Sequence, residues 1–107
     1  MSLSTHVLDA TLGRPAEGVA VRLERDGRAV ATGSTDHDGR LRDWLPDGEP
    51  EAGTYRLVFG TGEYFTRLGV DAFYPEVVVT FTVADPAAHH HVPLLLSPFA
   101  YSTYRGS

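Results

Sequence analysis

Apolar and polar residues alternate with a period of two through most of this chain, the spacing of strands with one buried face. Val19, Val21 and Leu23 alternate with Ala20, Arg22 and Glu24, and Asp26-Gly27 supplies a hairpin turn into a return strand over 28–35. A second turn, Asp36-His37-Asp38-Gly39, opens a strand over 40–45, and the polar stretch 46–53 reads as loop. Residues 54–59 form a strand with Tyr55, Leu57 and Phe59 on one face. The strongest strand, 76–84, places Val77, Val79, Phe81 and Val83 opposite Val78, Thr80 and Thr82. A final pair, 89–96 and 100–104, is parted at Ser97-Pro98, because proline cannot donate to a ladder. Only 62–69, bounded by glycines, suits a helix, of about two turns. Short strands with frequent turns predict an all-β antiparallel sandwich or barrel, forming one domain over 1–107.

One stretch departs from the half-buried pattern. In Val92-Pro93-Leu94-Leu95-Leu96 both faces are apolar. If Val92, Leu94 and Leu96 pack the core, Pro93 and Leu95 lie on the outer face, and an apolar outer face marks an interface. That predicts a second subunit covering this sheet. The same parity places His91 with Pro93 and Leu95, His6 with Leu8, and Ser102 with Tyr104. Two imidazoles and a phenol among apolar walls make a plausible binding site.

Composition removes many alternatives. A net charge of −5 argues against a nucleic-acid partner. All nine basic residues are Arg, so a Schiff-base lysine and a P-loop lysine are excluded. With no Cys there is no thiolate nucleophile and no disulfide. The first residues lack a basic and apolar leader pattern, and no apolar run approaches the ~20 residues of a membrane helix, so a cytoplasmic protein without membrane contact is expected. In His89-His90-His91 the middle ring faces away from its neighbours, and His6 with His91 lacks an obvious third ligand, so no metal site is expected. Asp36-x-Asp38-Gly39 lacks the terminal Glu of a calcium loop and reads as a turn. His37, between two Asp, reads as solvated.

Three stretches carry a resemblance. Leu3 to Asp9 (LSTHVLD), Thr35 to Arg40 (TDHDGR) and His91 to Ser107 (HVPLLLSPFAYSTYRGS) are similar to three motifs of the transthyretin-like hydroxyisourate hydrolase family. The resemblance runs from Leu3 to Ser107, and the ending Tyr-Arg-Gly-Ser with the preceding His favours the hydrolases over the hormone-binding branch. It implies a transthyretin-like antiparallel sandwich of two four-stranded sheets with one short helix, assembled as a homotetramer, a dimer of dimers around a central channel. It implies hydrolysis of 5-hydroxyisourate to 2-oxo-4-hydroxy-4-carboxy-5-ureidoimidazoline in urate breakdown, without a cofactor. His6, Arg40 and His91 are then the catalytic candidates, and His6, Arg40, Tyr104 and Ser107 the substrate-binding ones. Which histidine is the base stays open at this level. A non-catalytic channel-binding protein and a structural sandwich are the competing expectations.

Overall fold

The computed structural model describes residues 2–46 and 51–107. It contains β1 (Ser2–Asp9), β2 (Arg14–Pro15), β3 (Ala20–Arg25), β4 (Arg28–Ser34), β5 (Arg40–Leu41), β6 (Gly53–Phe59), α1 (Thr61–Arg67), β7 (Val77–Val83), β8 (His89–Ser97) and β9 (Ala100–Thr103). One sheet runs β2-β1-β8-β9, with β5 also paired to β1; the other runs β4-β3-β6-β7. No helix among the described residues is long and apolar enough to cross a membrane.

The expected two-sheet sandwich with one short helix is what forms. Two details refine it. The first sheet gains a fifth, two-residue strand, β2, and its central pair, β1 and β8, is parallel. A parallel pair needs a long crossover, and the whole second sheet supplies that connection.

Alternation decides which faces meet. Leu3, Val7, Leu94 and Leu96 on one sheet and Val21, Leu23, Tyr55, Leu57, Phe59, Val77 and Val83 on the other are all buried in one cluster. Each such side chain contributes about 1.5–3 kcal/mol of burial. Thr5 also points inward, its hydroxyl donating to the Val92 carbonyl at 2.6 Å. The Asp26-Gly27 turn has positive φ at both residues, 53° and 76°, the conformation that a two-residue hairpin demands.

The strand expected over 40–45 stops at Leu41. Asp43 adopts φ 55°, which turns the chain, and the Trp44 indole N–H donates to the Leu3 carbonyl at 3.0 Å. The indole thereby takes a β1 edge acceptor that a longer β5 could have used. The loop expected over 46–53 lies mostly outside the described residues, and Gly53 already belongs to β6.

A buried polar pair ties the helix to the first sheet. Asp9, at the end of β1, is 1% exposed and accepts backbone N–H bonds from Thr11 and Leu12 and the Tyr64 hydroxyl at 2.8 Å. Burial, and then the hydrogen bond to Asp9, push the Tyr64 phenol up to about 12 from 10.0. The neutral phenol is thus the form the fold favours; its stabilisation is complete below pH 10 and is lost as pH rises from 10 towards 12. Tyr64→Phe leaves the Asp9 carboxylate one donor short. It should lower stability by about 1–3 kcal/mol in urea unfolding at pH 7, with a smaller deficit at pH 11. An unchanged midpoint at pH 7 would show that the pair contributes nothing.

Candidate active site

The site is built from rows of side chains across the outer face of the β1–β8 sheet. In the parallel ladder Ser2 pairs with His89, Ser4 with His91, His6 with Pro93 and Leu8 with Leu95. Paired residues in a sheet project to the same side. The inner-facing positions of β1 are Leu3, Thr5, Val7 and Asp9, all buried, so Ser4, His6 and Leu8 face outward. Across the other edge of β1, His6 pairs with Arg40 of β5. Arg40, His6 and Pro93 therefore form one row, and Ser4 and His91 form the next.

The chain end extends both rows. β9 pairs with β8 at Leu94↔Thr103 and Leu95↔Ser102, and an isolated bridge pairs His91 with Gly106 in the same register. That register sets Tyr104 opposite Pro93, in the row of His6 and Arg40. Tyr104 is 59% exposed. The Gly106 N–H donates to the His91 carbonyl at 2.8 Å. A Cβ on Gly106 would run into Cδ2 of the His91 ring, so only glycine lets the tail lie across this imidazole. Ser107, the next residue, is exposed.

A turn places Arg40. The Asp36 carboxylate accepts the backbone N–H groups of Asp38 and Arg40, both at 2.9 Å, and these bonds hold its pKa below 3.8. Gly39 closes the turn at φ 74°, where a Cβ would meet the Val7 carbonyl oxygen. The N–H of Val7 donates to the Gly39 carbonyl at 2.7 Å, which locks the turn against β1. Arg40 itself is exposed, and its guanidinium forms no ion pair with Asp36 or Asp38 among the described residues.

The two imidazoles are held differently. Nε2 of His6 donates to the Asp38 carbonyl at 2.9 Å, since a carbonyl only accepts. A neutral His6 therefore keeps its lone pair on Nδ1. His91 is bonded through Nδ1 to the Ser4 hydroxyl at 2.7 Å, which leaves Nε2 for other partners. Burial lowers the His91 pKa from 6.5, and the nearby His89, His6 and Arg40 lower it further, against a contact with the Ser4 backbone that raises it. Desolvation and three like-charged neighbours all disfavour an imidazolium here.

The four main candidates thus share one face, Arg40, His6 and Tyr104 in one row and His91 in the adjacent one. Pro93, expected to be uncovered, is already buried within the single chain, while Leu95 is half-buried. A cavity of about 310 Å³ opens between the sheets at their β7 and β9 edge, lined by Val79, Phe81, Val92, Thr103 and Arg105 and also by His90, His91 and Tyr104. It is largely apolar, and neither His6 nor Arg40 lines it. The exposed trio Asp36, His37 and Asp38 has donor atoms within 4.8 Å of one another, but belongs to the turn just described. Sequence reasoning passed over three participants, Ser4, His89 and Gly106. The parity that selected His6 and His91 also selects Ser4 and His89.

Comparison with known proteins identifies the family. Residues 3–106 match the model of the HIUase/Transthyretin family. A "5-hydroxyisourate hydrolase 2" of Rhizobium meliloti is 51% identical over 114 residues, covering 98% of this chain and 95% of the relative. The structure of Klebsiella pneumoniae 5-hydroxyisourate hydrolase superposes with a TM-score of 0.91 at 39% identity, covering 100% of both chains. Sea bream transthyretin, solved with thyroxine, superposes at 0.87 with 36% identity, covering 97% of this chain and 93% of that one. The chain belongs to the HIUase/Transthyretin family.

Proposed function

We propose that this protein hydrolyses 5-hydroxyisourate, opening the six-membered ring at its amide C–N bond to give 2-oxo-4-hydroxy-4-carboxy-5-ureidoimidazoline. The observation that carries the reading is the placement of Arg40, His6 and His91 on adjacent rows of one sheet face. A planar purine derivative needs donors at its edge, a base for water and an acid for the departing nitrogen. This face offers each of them.

His6, with Nε2 committed to the Asp38 carbonyl, accepts the proton of the attacking water at Nδ1. The guanidinium of Arg40 binds the carbonyl oxygen and the negative charge that develops on it in the tetrahedral intermediate. His91 presents Nε2 to protonate the leaving ring nitrogen. Tyr104 lines the row beside them and hydrogen-bonds the substrate, and Ser107 with the chain end helps close the site. The chemistry requires no cofactor, because the acid, the base and the oxyanion donor are all side chains.

The outer face is the part a second copy would cover. Leu8 and Leu95 stand half-buried beside the polar rows, and Phe99 lies exposed at the adjoining β8–β9 turn. A homotetramer, with the sites in a channel between dimers, would remove this apolar surface from water and enclose the substrate. The rival reading, a carrier that only binds ligand in the channel, is supported by the likeness to transthyretin. It gives no role to Arg40 or to two oriented imidazoles.

Ultraviolet decay of 5-hydroxyisourate freshly made with urate oxidase separates the two readings. The protein should accelerate the decay well beyond the spontaneous rate; no acceleration would reject the enzyme. Arg40→Ala should abolish most activity while leaving the melting temperature and assembly nearly unchanged, and retained activity would remove Arg40 from the mechanism. His6→Ala and His91→Ala should each slow turnover by at least about 10²-fold, and mild effects in both would show that the proton transfers are wrongly assigned. The His91 ring should titrate below 6.5 in a proton NMR experiment, so that it stays neutral as pH falls through 6.5 and charges only at lower pH. A midpoint at or above 6.5 would contradict its desolvated position.

A further inference from the structure

Ser2, Ser4, His89 and His91 form a continuous hydrogen-bonded chain along the outer face. Ser2 Oγ lies 2.6 Å from Nδ1 of His89, Nε2 of His89 lies 3.2 Å from Ser4 Oγ, and Ser4 Oγ lies 2.7 Å from Nδ1 of His91. The two imidazole planes stack at 14° with centroids 6.4 Å apart, and the Ser4 hydroxyl bridges them. Exposure falls along the chain, from exposed Ser2 and His89 to half-buried Ser4 and His91.

From this arrangement we infer that Ser4 and His89 form a proton relay connecting His91 to solvent, with Ser4 the hydroxyl through which the proton passes. The inference rests on the hydrolase reading. A hydroxyl has one proton and two lone pairs, so the chain can be polarised in either direction. In one sense Ser4 donates to His91, which then carries its proton on Nε2. In the other, His91 donates to Ser4 and Ser4 to His89, which in turn donates from Nδ1 to Ser2. Moving a proton through the chain switches it between the two.

Ring-opening hydrolysis needs that movement. The water oxygen bonds to the carbonyl carbon, and its proton goes to His6. As the C–N bond breaks, Nε2 of His91 gives its proton to the nitrogen. A proton enters from solvent through His89 and Ser4 to Nδ1 of His91. The product is a carboxylic acid, and the departing ureido nitrogen is too weakly basic to hold an extra proton. When the acid ionises, its proton goes to Nε2 of His91, and the Nδ1 proton leaves by the same path. One inward and one outward passage restore both rings, and the proton on His6 is the one released per turnover. The groups facing His91 are His89 on β8, His6 on β1 and Arg40 on β5, with Arg105 beside it in the tail. None of these side chains is a carboxylate, and the group bonded to Nδ1 is the Ser4 hydroxyl, so that hydroxyl is the one placed to take the Nδ1 proton.

The test uses full-length protein with 5-hydroxyisourate in dilute and concentrated imidazole buffer. His89→Gln keeps a polar side chain that cannot pass a proton. It should lower kcat at least about tenfold in dilute buffer with little change in KM, and added imidazole should restore the rate while leaving the wild-type rate unchanged. Ser4→Ala should fall similarly, and Ser4→Thr, which retains the hydroxyl, should recover most of the loss. Wild-type kcat for His89→Gln in dilute buffer would overturn the relay. So would a loss that imidazole does not relieve, or a Ser4→Thr variant as slow as Ser4→Ala. Should the wild-type protein itself give no acceleration, the hydrolase reading fails instead, and the two failures are told apart by that control.

Discussion

The parallel ladder between β1 and β8 is the constraint on which the site depends. Its eight paired positions, from Ser2↔His89 to Asp9↔Leu96, set which residue of the first strand stands beside which residue of the eighth. Side chains alternate with period two, so a slip of one residue would invert the strand that moved, sending His6 into the core and exposing Thr5, or sending His91 in and exposing Val92. The slip is opposed by the inward apolar residues of both strands and by the Thr5 hydroxyl bonded to the Val92 carbonyl. Core packing and active-site geometry are therefore one requirement. The residues that hold the register on the inner face aim the candidate catalytic groups on the outer one.

Arg40 and the tail are brought to this ladder by local devices. Asp36 gathers two backbone N–H groups, and Gly39 accepts a conformation that lets its carbonyl meet the Val7 N–H. Together they fix the first residue of β5 opposite His6. At the other side, Gly106 has no side chain to clash with the His91 ring, so the tail stays in register beyond β9. Both glycines serve close approach rather than flexibility.

Much of this was legible in the sequence because a strand writes its faces in alternate residues. The inward set Tyr55, Leu57 and Phe59 and the outward set containing His6 and His91 follow from parity alone. The Asp26-Gly27 hairpin followed from turn chemistry, which is local. What parity cannot supply is which strands are neighbours. The parallel β1–β8 pairing joins residues more than eighty positions apart, and without it His89 is a polar residue in a histidine run. Arg40 illustrates the same limit, since only its pairing with His6 gives an exposed arginine after a turn a place in the site. The shortening of β5 was also unreadable, because it depends on Trp44 reaching back to Leu3.

The electrostatics of the face complete the picture. The chain carries a net charge of −5, yet the groups around His91 are imidazoles and arginine. Of the carboxylates in the turn before Arg40, Asp36 is bonded to backbone N–H groups and Asp38 lies beside His37 at 3.5 Å. Among the described residues Arg40 forms no ion pair with either of them, and its positive charge helps keep His91 neutral. A carboxylate partner for His91 would have the opposite effect, raising its pKa and neutralising part of the field that stabilises an oxyanion. A hydroxyl on Nδ1 avoids both consequences: it orients the ring and can exchange a proton with it without adding charge. Under the proposed mechanism, the neutral Ser4 contact and the exposed guanidinium of Arg40 serve the same requirement, positive potential for the reacting carbonyl beside imidazoles that remain able to exchange protons.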